Sequence, residues 1–148
     1  MKNIKLAKIN PEKIAEEIGE FIINEIIKIG YTGGVIGLSG GVDSTVTAAL
    51  AKRAFDKYNE KNNVKLELIG YLLPSSINNP KDAEDGMNVA KKLGIKCEII
   101  NIQPIVEAYR FTNPSTADSK YHAGNLMSEI RALVLHSKSA LEKKLVLG

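Results

Sequence analysis

The chain has 148 residues, of which 44% are hydrophobic and 25% charged, and its net charge is +3. These fractions are ordinary for a globular protein, and we assign residues 1–148 to one domain. The lysines are scattered without a dense basic block, so we expect no nucleic-acid partner. Cys97 is the single cysteine, which excludes an internal disulfide and favours a reducing, cytoplasmic compartment. No stretch reaches the roughly 20 apolar residues of a membrane span, so we expect no membrane association.

The first predicted helix follows Asn10, a capping residue with proline directly after it, and carries isoleucines at helical spacing up to Gly30. A short apolar run predicts a strand at 35–38. The next helix is predicted from Asp43 to about Lys57. We assign its inner face to three apolar residues, Val46, Ala49 and Leu50.

The same alternation continues through the rest of the chain. Gly94 is predicted to close the third helix as its C-cap. The predicted elements are a strand at 66–73, a helix at 81–93, a strand at 96–102, a helical turn at 104–109, a helix at 123–141 and a strand at 145–147. Strands that alternate with helices indicate a parallel sheet covered on both faces, which is a three-layer α/β/α fold. In such sheets ligands bind at the carboxyl ends of the strands.

A glycine-rich segment joins the first strand to the second helix at that end of the sheet. It contains Gly37, Leu38, Ser39, Gly40, Gly41, Val42, Asp43 and Ser44. Adjacent glycines allow backbone N–H groups to turn toward a ligand, and N–H groups at a helix start form an anion site. A Walker loop requires Gly-Lys-Ser/Thr, which is absent from this sequence, and the glycines do not fit the spacing of a dinucleotide fingerprint.

Asp43 is the informative residue of this segment. A carboxylate beside bound phosphates would repel them unless a cation lay between, and Mg²⁺ is the natural cation. The segment therefore predicts a site for phosphates and magnesium. The alternative is an ordinary strand-to-helix turn in which Asp43 caps the helix.

The segment Ser39-Gly40-Gly41-Val42-Asp43-Ser44 resembles the pyrophosphate loop of the N-type ATP pyrophosphatases, which split ATP into AMP and pyrophosphate. Three later segments extend the resemblance to ammonia-dependent NAD synthetase. The first is 72–75, followed by a helix that opens at 82–85 and ends at 93–95. The second is 100–106. The third is Gly124-Asn125-Leu126, followed by Arg131 and then by 145–148. A GMP synthetase-like amidotransferase, another N-type ATP pyrophosphatase, fits the first and the last of these three segments poorly and remains an alternative.

The resemblance implies an adenine-nucleotide alpha-hydrolase-like fold and an ATP-dependent amidation. In that family MgATP adenylylates the carboxylate of nicotinic acid adenine dinucleotide, and ammonia then displaces AMP to give NAD. The resemblance implies that residues 37–44 bind ATP, that Asp43 binds Mg²⁺, and that Asn125, Glu129 and Arg131 lie at the substrate. It also implies a homodimer, for which Phe21 and the isoleucines of the first helix supply apolar surface. No catalytic residue is assigned.

Two departures from the family pattern lower the activity that we expect. Glu129 stands where the family has an arginine that holds the dinucleotide, which replaces an attraction by a repulsion. After its Val-Leu-Gly strand the family continues with a threonine, an acidic metal ligand and lysines, whereas this sequence ends at Gly148. We therefore expect a chain that is truncated relative to active members and makes little or no NAD. The alternatives are a non-catalytic nucleotide-binding fragment and one half of a split enzyme.

Overall fold

A computed structural model describes residues 8–116 and 120–148. The helices are α1 (Pro11–Lys28), α2 (Val42–Lys61), α3 (Pro80–Leu93), α4 (Gln103–Thr112) and α5 (Lys120–Glu142), with a 3₁₀ helix at Pro114–Thr116. The strands are β1 (Gly33–Gly37), β2 (Glu67–Leu72), β3 (Lys96–Ile99) and β4 (Leu145–Leu147). Within the described ranges no helix has both the length and the hydrophobicity needed to cross a membrane.

The four strands form one parallel sheet in the order β3-β2-β1-β4, which confirms the predicted parallel arrangement. Val35 of β1 lies beside Ile69 on one side and Val146 on the other. The chain moves outward from β1 to β2 and β3 and then returns to the opposite side of β1. The carboxyl end of β1 is therefore the point at which the strand order reverses, and ligands bind at such points in open α/β sheets.

Helices cover both faces of the sheet, as predicted. Beneath α1, α2 and α3 lies one buried cluster, which includes Ile26, Phe55 and Leu72. Beneath α4 and α5 lies a second cluster, which includes Tyr71 and Ile130. Each central strand supplies residues to both clusters, which explains why its sequence is an almost continuous apolar run.

Local capping chemistry sets the helix ends. The Asn10 side chain accepts hydrogen bonds from the backbone N–H groups of Glu12 and Lys13, at 3.1 and 3.3 Å. Gly94 ends α3 in the left-handed conformation with φ of 64°, which a residue with a side chain rarely adopts. Both predicted caps are confirmed.

The prediction of which residues form the inner face of α2 was wrong. Val46 is 49% exposed and Ala49 and Leu50 are only half-buried, whereas the fully covered positions are Ala48, Ala51, Ala54 and Phe55. The reason is close packing against α1, where a methyl group added at Gly19 would lie 2.8 Å from the Ala54 Cβ. The helix therefore contacts its neighbours through three alanines together with Phe55, whereas Val46 and Leu50 lie at the margin.

Other predicted boundaries also needed correction. Strand β3 ends at Ile99 rather than at residue 102, and its edge position leaves most of its side chains exposed. The turn predicted at 104–109 is a complete helix, α4, of ten residues. Helix α2 continues to Lys61, beyond the predicted end near Lys57, and α5 already includes Lys120, ahead of the predicted start at Ala123.

An ion-pair network joins three strands at the end of the sheet opposite the glycine-rich loop. The Glu67 carboxylate lies 2.6 Å from the Lys96 ammonium and 3.3 Å from that of Lys144, which is only 7% exposed. The hydrogen bond from Lys96, followed by that from Lys144, lowers the pKa of Glu67 below its usual range. Since the Lys144 charge is buried, removal of its partner would be costly.

Candidate functional site

The glycine-rich loop leaves the carboxyl end of β1 and enters α2 at Val42. The chain turns at Gly40, whose φ of 77° lies in the left-handed region that favours glycine. Two hydroxyl groups draw the ends of the loop together, since Ser39 Oγ and Ser44 Oγ lie 3.1 Å apart. The backbone N–H groups of Ser39 and Gly41 each donate to one of these hydroxyls at 3.3 Å.

The first turn of α2 keeps its backbone donors available. Gly41 occupies the N-cap position, and no side chain in the described ranges caps the helix there. The hydroxyl groups of Ser44 and Thr45 instead donate back to the Gly41 carbonyl, at 3.3 and 2.7 Å. Asp43 is the second residue of the helix and does not cap it, contrary to the alternative interpretation of the sequence. N–H groups of this kind, at the positive end of a 20-residue helix, suit an anion.

Asp43 is exposed beside these donors, and nothing in the described part of the chain pairs with its carboxylate. Residues 8–116 and 120–148 contain no cluster of three or more acidic, histidine or cysteine side chains that could hold a metal. A single carboxylate nevertheless fits Mg²⁺, because this ion commonly binds through one or two carboxylates together with phosphate oxygens and water. The side chain therefore fits a magnesium ion that arrives with a phosphate ligand.

Helix α3 supports the loop from behind. A methyl group added at Gly40 would lie 2.9 Å from both the Asp82 carbonyl oxygen and the Asp85 Cβ. A methyl group added at Gly86 would lie 2.5 Å from Leu72 Cδ2 and 3.0 Å from the Leu38 carbonyl oxygen. Glycines at these two positions let the start of α3 contact the loop backbone directly, which fixes the loop's position over the sheet.

A cavity of about 390 Å³ opens next to the loop, over the carboxyl ends of β1, β2 and β4. This volume lies in the usual range for small-molecule sites. The wall includes Ser39 from the loop, Leu73 from the end of β2, Asp82 from α3 and, on the far side, Arg131 from α5. The cavity thus places polar groups from both layers of helices around one space.

Arg131 is oriented by the segment between β2 and α3. Its Nε donates to the Leu73 carbonyl oxygen at 3.1 Å, and its Nη2 donates to Asn78 Oδ1 at 2.8 Å. The same Asn78 oxygen accepts from the backbone N–H and the hydroxyl of Ser75, at 3.0 and 2.7 Å. Burial lowers the pKa of the Arg131 guanidinium.

The three residues that the sequence suggested for substrate binding are separated by the structure. Arg131 lines the cavity, whereas Asn125 and Glu129 are exposed on α5 and do not line it. Asn78 and Asp82 line the cavity and were missed. The signal for Asn78 was a polar segment directly after the second predicted strand, the position at which parallel sheets place ligand groups, and Asp82 begins the helix that follows this segment.

The parallel sheet and the loop at its reversal point define the class of this protein, which is an adenine-nucleotide alpha-hydrolase-like α/β domain. A family model described as NAD synthase matches residues 14–148. The chain belongs to the NAD synthase family.

Individual relatives agree with this assignment. The chain is 38% identical over 143 residues to the NH(3)-dependent NAD(+) synthetase of Pyrococcus furiosus, a match that covers 97% of this chain and 50% of the relative. The NH3-dependent NAD synthetase structure from Campylobacter jejuni superimposes with a TM-score of 0.78 at 30% identity, over 94% of this chain and 56% of that one. An NMN synthetase structure from Francisella tularensis gives the same TM-score at 26% identity, over 94% and 54%. The chain therefore spans about half the length of these relatives.

Proposed function

We propose that this chain supplies the MgATP-binding part of an ammonia-dependent NAD synthetase. The observation that carries the proposal is the uncapped start of α2, which lies at the reversal point of the sheet beside the unpaired carboxylate of Asp43. In this proposal, the loop at 37–44 holds the pyrophosphate portion of ATP through the backbone N–H groups at the uncapped start of α2. Ser39 and Ser44 add hydroxyl donors, and Asp43 holds Mg²⁺.

The proposed reaction begins when the carboxylate of nicotinic acid adenine dinucleotide attacks the α-phosphorus of ATP. A new oxygen–phosphorus bond forms, the bond to the β-phosphate breaks, and pyrophosphate leaves. Ammonia then attacks the activated carbonyl carbon, and AMP departs to leave the amide. Charge accumulates on the departing pyrophosphate, and in this proposal the N–H groups at the start of α2 stabilise it. A bound magnesium ion would neutralise part of the same charge.

Nicotinic acid mononucleotide is a second candidate acceptor. The observation that favours it is the structural match to the Francisella tularensis protein, whose name refers to NMN rather than NAD synthesis. Both compounds present the same nicotinate carboxylate. Only the dinucleotide also carries an adenosine group.

We also infer a cytoplasmic homodimer. The reducing compartment follows from the single cysteine, Cys97, which is half-buried and whose pKa is raised by burial. The second copy is suggested by exposed apolar side chains on α1 and α2, where Phe21 is 66% exposed and Val46 49%. These residues line a groove of about 560 Å³ between α1, α2 and β4. A second chain would remove this apolar surface from water.

The direct test is NAD formation from nicotinic acid adenine dinucleotide, MgATP and ammonia, with the mononucleotide as a parallel acceptor. We expect slow turnover, because Glu129 stands where the family has an arginine. Glu129 lies outside the cavity wall, so it repels the part of an anionic acceptor that extends beyond the cavity. Glu129→Arg should raise the rate about tenfold or more, since it replaces the repulsion by an attraction. Glu129→Gln is the matched control and should give a smaller gain.

Two results would contradict this proposal. One is wild-type turnover near one per second, the low end of ordinary enzymes, which would show that Glu129 does not hinder the reaction. The other is failure of the wild-type chain to bind MgATP at all.

A further inference from the structure

One side-chain oxygen in the segment between β2 and α3 collects several of the hydrogen bonds that hold this segment in place. Asn78 Oδ1 accepts three hydrogen bonds, two from Ser75 and one from Arg131, although Asn78 and Arg131 are 53 positions apart in the chain. Ser75 is buried, and its hydroxyl also lies 3.1 Å from Met127 Sδ on α5. The Asn78 side chain therefore links the end of β2 to the far wall of the cavity.

The Arg131 guanidinium receives no compensating negative charge from this link. Its two acceptors are a backbone carbonyl and a side-chain amide, both neutral. Asp82 lines the same cavity, yet no carboxylate in the described ranges forms an ion pair with Arg131. A half-buried cation with neutral acceptors retains its attraction for an anion, and its remaining N–H groups can reach one.

The position of this charge suggests which anion it meets. Arg131 lies on α5, on the opposite face of the sheet from α2 and the loop at 37–44. If the loop holds the pyrophosphate of ATP, the group that attacks the α-phosphate must approach from the other side of the cavity, because attack and departure are in line. That attacking group is a carboxylate on a molecule that also carries phosphates.

We propose that Asn78 is a positioning residue, which holds the Arg131 guanidinium toward the cavity so that it binds the anionic acceptor that reacts with ATP. This inference rests on the proposed function and assigns Asn78 a role in acceptor binding. The neutrality of the Asn78 amide is essential, because an acidic side chain there would hold Arg131 equally well but would cancel its charge.

The substitution Asn78→Asp separates orientation from charge. Its carboxylate can accept the same three hydrogen bonds, so the segment and Arg131 should stay in place. The charge that is available to the acceptor falls, and affinity for the acceptor should drop about tenfold or more. Arg131→Gln also removes the charge while it keeps a donor for Asn78, and it should give a similar loss.

A substitution at Gln103 is a matched control, because it removes hydrogen bonds that hold the segment between β2 and α3 without affecting Arg131. Its Oε1 accepts from the backbone N–H and the hydroxyl of Ser76, at 2.9 and 2.8 Å, and it makes no contact with Arg131. Gln103→Ala should leave acceptor affinity within about twofold of wild type. If Asn78 merely anchored the segment, Gln103→Ala and Asn78→Ala would weaken binding alike.

The experiment is a calorimetric titration of nicotinic acid adenine dinucleotide into each protein, saturated beforehand with magnesium and α,β-methylene-ATP, which cannot be cleaved at the α–β bond. We expect unchanged affinity for the ATP analogue in all variants, and loss of dinucleotide affinity only in Asn78→Asp, Asn78→Ala and Arg131→Gln. Unchanged dinucleotide affinity in Asn78→Asp or Arg131→Gln would overturn the inference. Absence of dinucleotide binding to the analogue-bound wild type would overturn it too. Failure of the wild type to bind the ATP analogue is a different result, and it counts against the proposed function itself.

Discussion

Substitution of Gly40 by alanine would test whether the loop after β1 is fixed by its contact with α3. Gly40 has a φ of 77°, and an alanine in the left-handed region costs about 1–2 kcal/mol. The added methyl would also lie 2.9 Å from the Asp82 carbonyl oxygen and from the Asp85 Cβ. Overpacking of this kind costs a further 1–3 kcal/mol, roughly. We therefore expect the free energy of unfolding to fall by about 2–5 kcal/mol.

Two other glycines separate the conformational cost of an alanine from the cost of overpacking. Gly30 has a similar φ of 71°, but nothing lies within 4 Å of an added methyl, so Gly30→Ala should show the conformational cost alone. Gly41 has a φ of −76°, and a methyl there would meet only the Ser39 Oγ at 3.3 Å. A slight shift of that hydroxyl relieves this contact, so Gly41→Ala should change stability by less than about 1 kcal/mol.

The assay is urea-induced unfolding of the three variants, followed by circular dichroism. Thermal unfolding of the same variants gives a second readout, in which each kcal/mol should lower the melting temperature by about 3 °C in a chain of this size. If Gly40→Ala is no less stable than Gly30→Ala, the loop does not pack on α3 as described.

The ion-pair network and the exposed α1 surface give two further predictions. Glu67→Gln leaves the buried Lys144 without its ion-pair partner. It should lower the free energy of unfolding by about 1–2 kcal/mol at pH 7, after allowance for the solvent exposure of Glu67. Lys96→Met, at an exposed position, should lower it much less. Because the folded-state pKa of Glu67 is lowered, its contribution is present above the unfolded pKa of about 4.3 and is lost as pH falls through the folded value. Urea titrations in which Glu67→Gln remains equally damaging at pH 2 would contradict this account. Phe21→Ser should convert a dimer to a monomer, measured by sedimentation at tens of micromolar, whereas Phe111→Ser, on α4, should not. A monomeric wild type would show that a second copy does not cover the exposed face of α1.

Much of the fold follows from local patterns in the sequence. Residues at β1 and β2 must be apolar on both sides, because helices cover both faces of the sheet, and this produces the continuous runs that predicted the strands. Capping by Asn10 and Gly94 depends on contacts within a few residues, so it too was visible in the sequence. The loop after β1 was predictable for the same reason, since its glycines and Asp43 are consecutive.

The parts that could not be predicted depend on distant contacts. The hydrogen bond between Asn78 and Arg131 joins two segments that nothing in their local sequences connects. The inner face of α2 was misjudged because hydrophobicity favoured Val46, while the close approach of α1 required a small residue at Ala54. Glu129 was chosen from a family position, and only the structure reveals that it lies outside the cavity wall.

The central claim is that Asp43 and the loop at 37–44 bind MgATP, and calorimetric titration of MgATP into wild type and Asp43→Asn tests it most directly. Asparagine preserves the size of the side chain and leaves the fold unchanged, but it removes the charge that holds the metal. We predict that the wild type binds MgATP and that Asp43→Asn binds it about tenfold more weakly or worse, a loss of roughly 1.4 kcal/mol or more. Metal-free pyrophosphate should bind Asp43→Asn at least as tightly as the wild type, because the substitution removes a carboxylate that repels phosphates when no metal lies between them. Equal affinity of the two proteins for MgATP would contradict the metal role of Asp43, and absence of binding to the wild type would contradict the site as a whole.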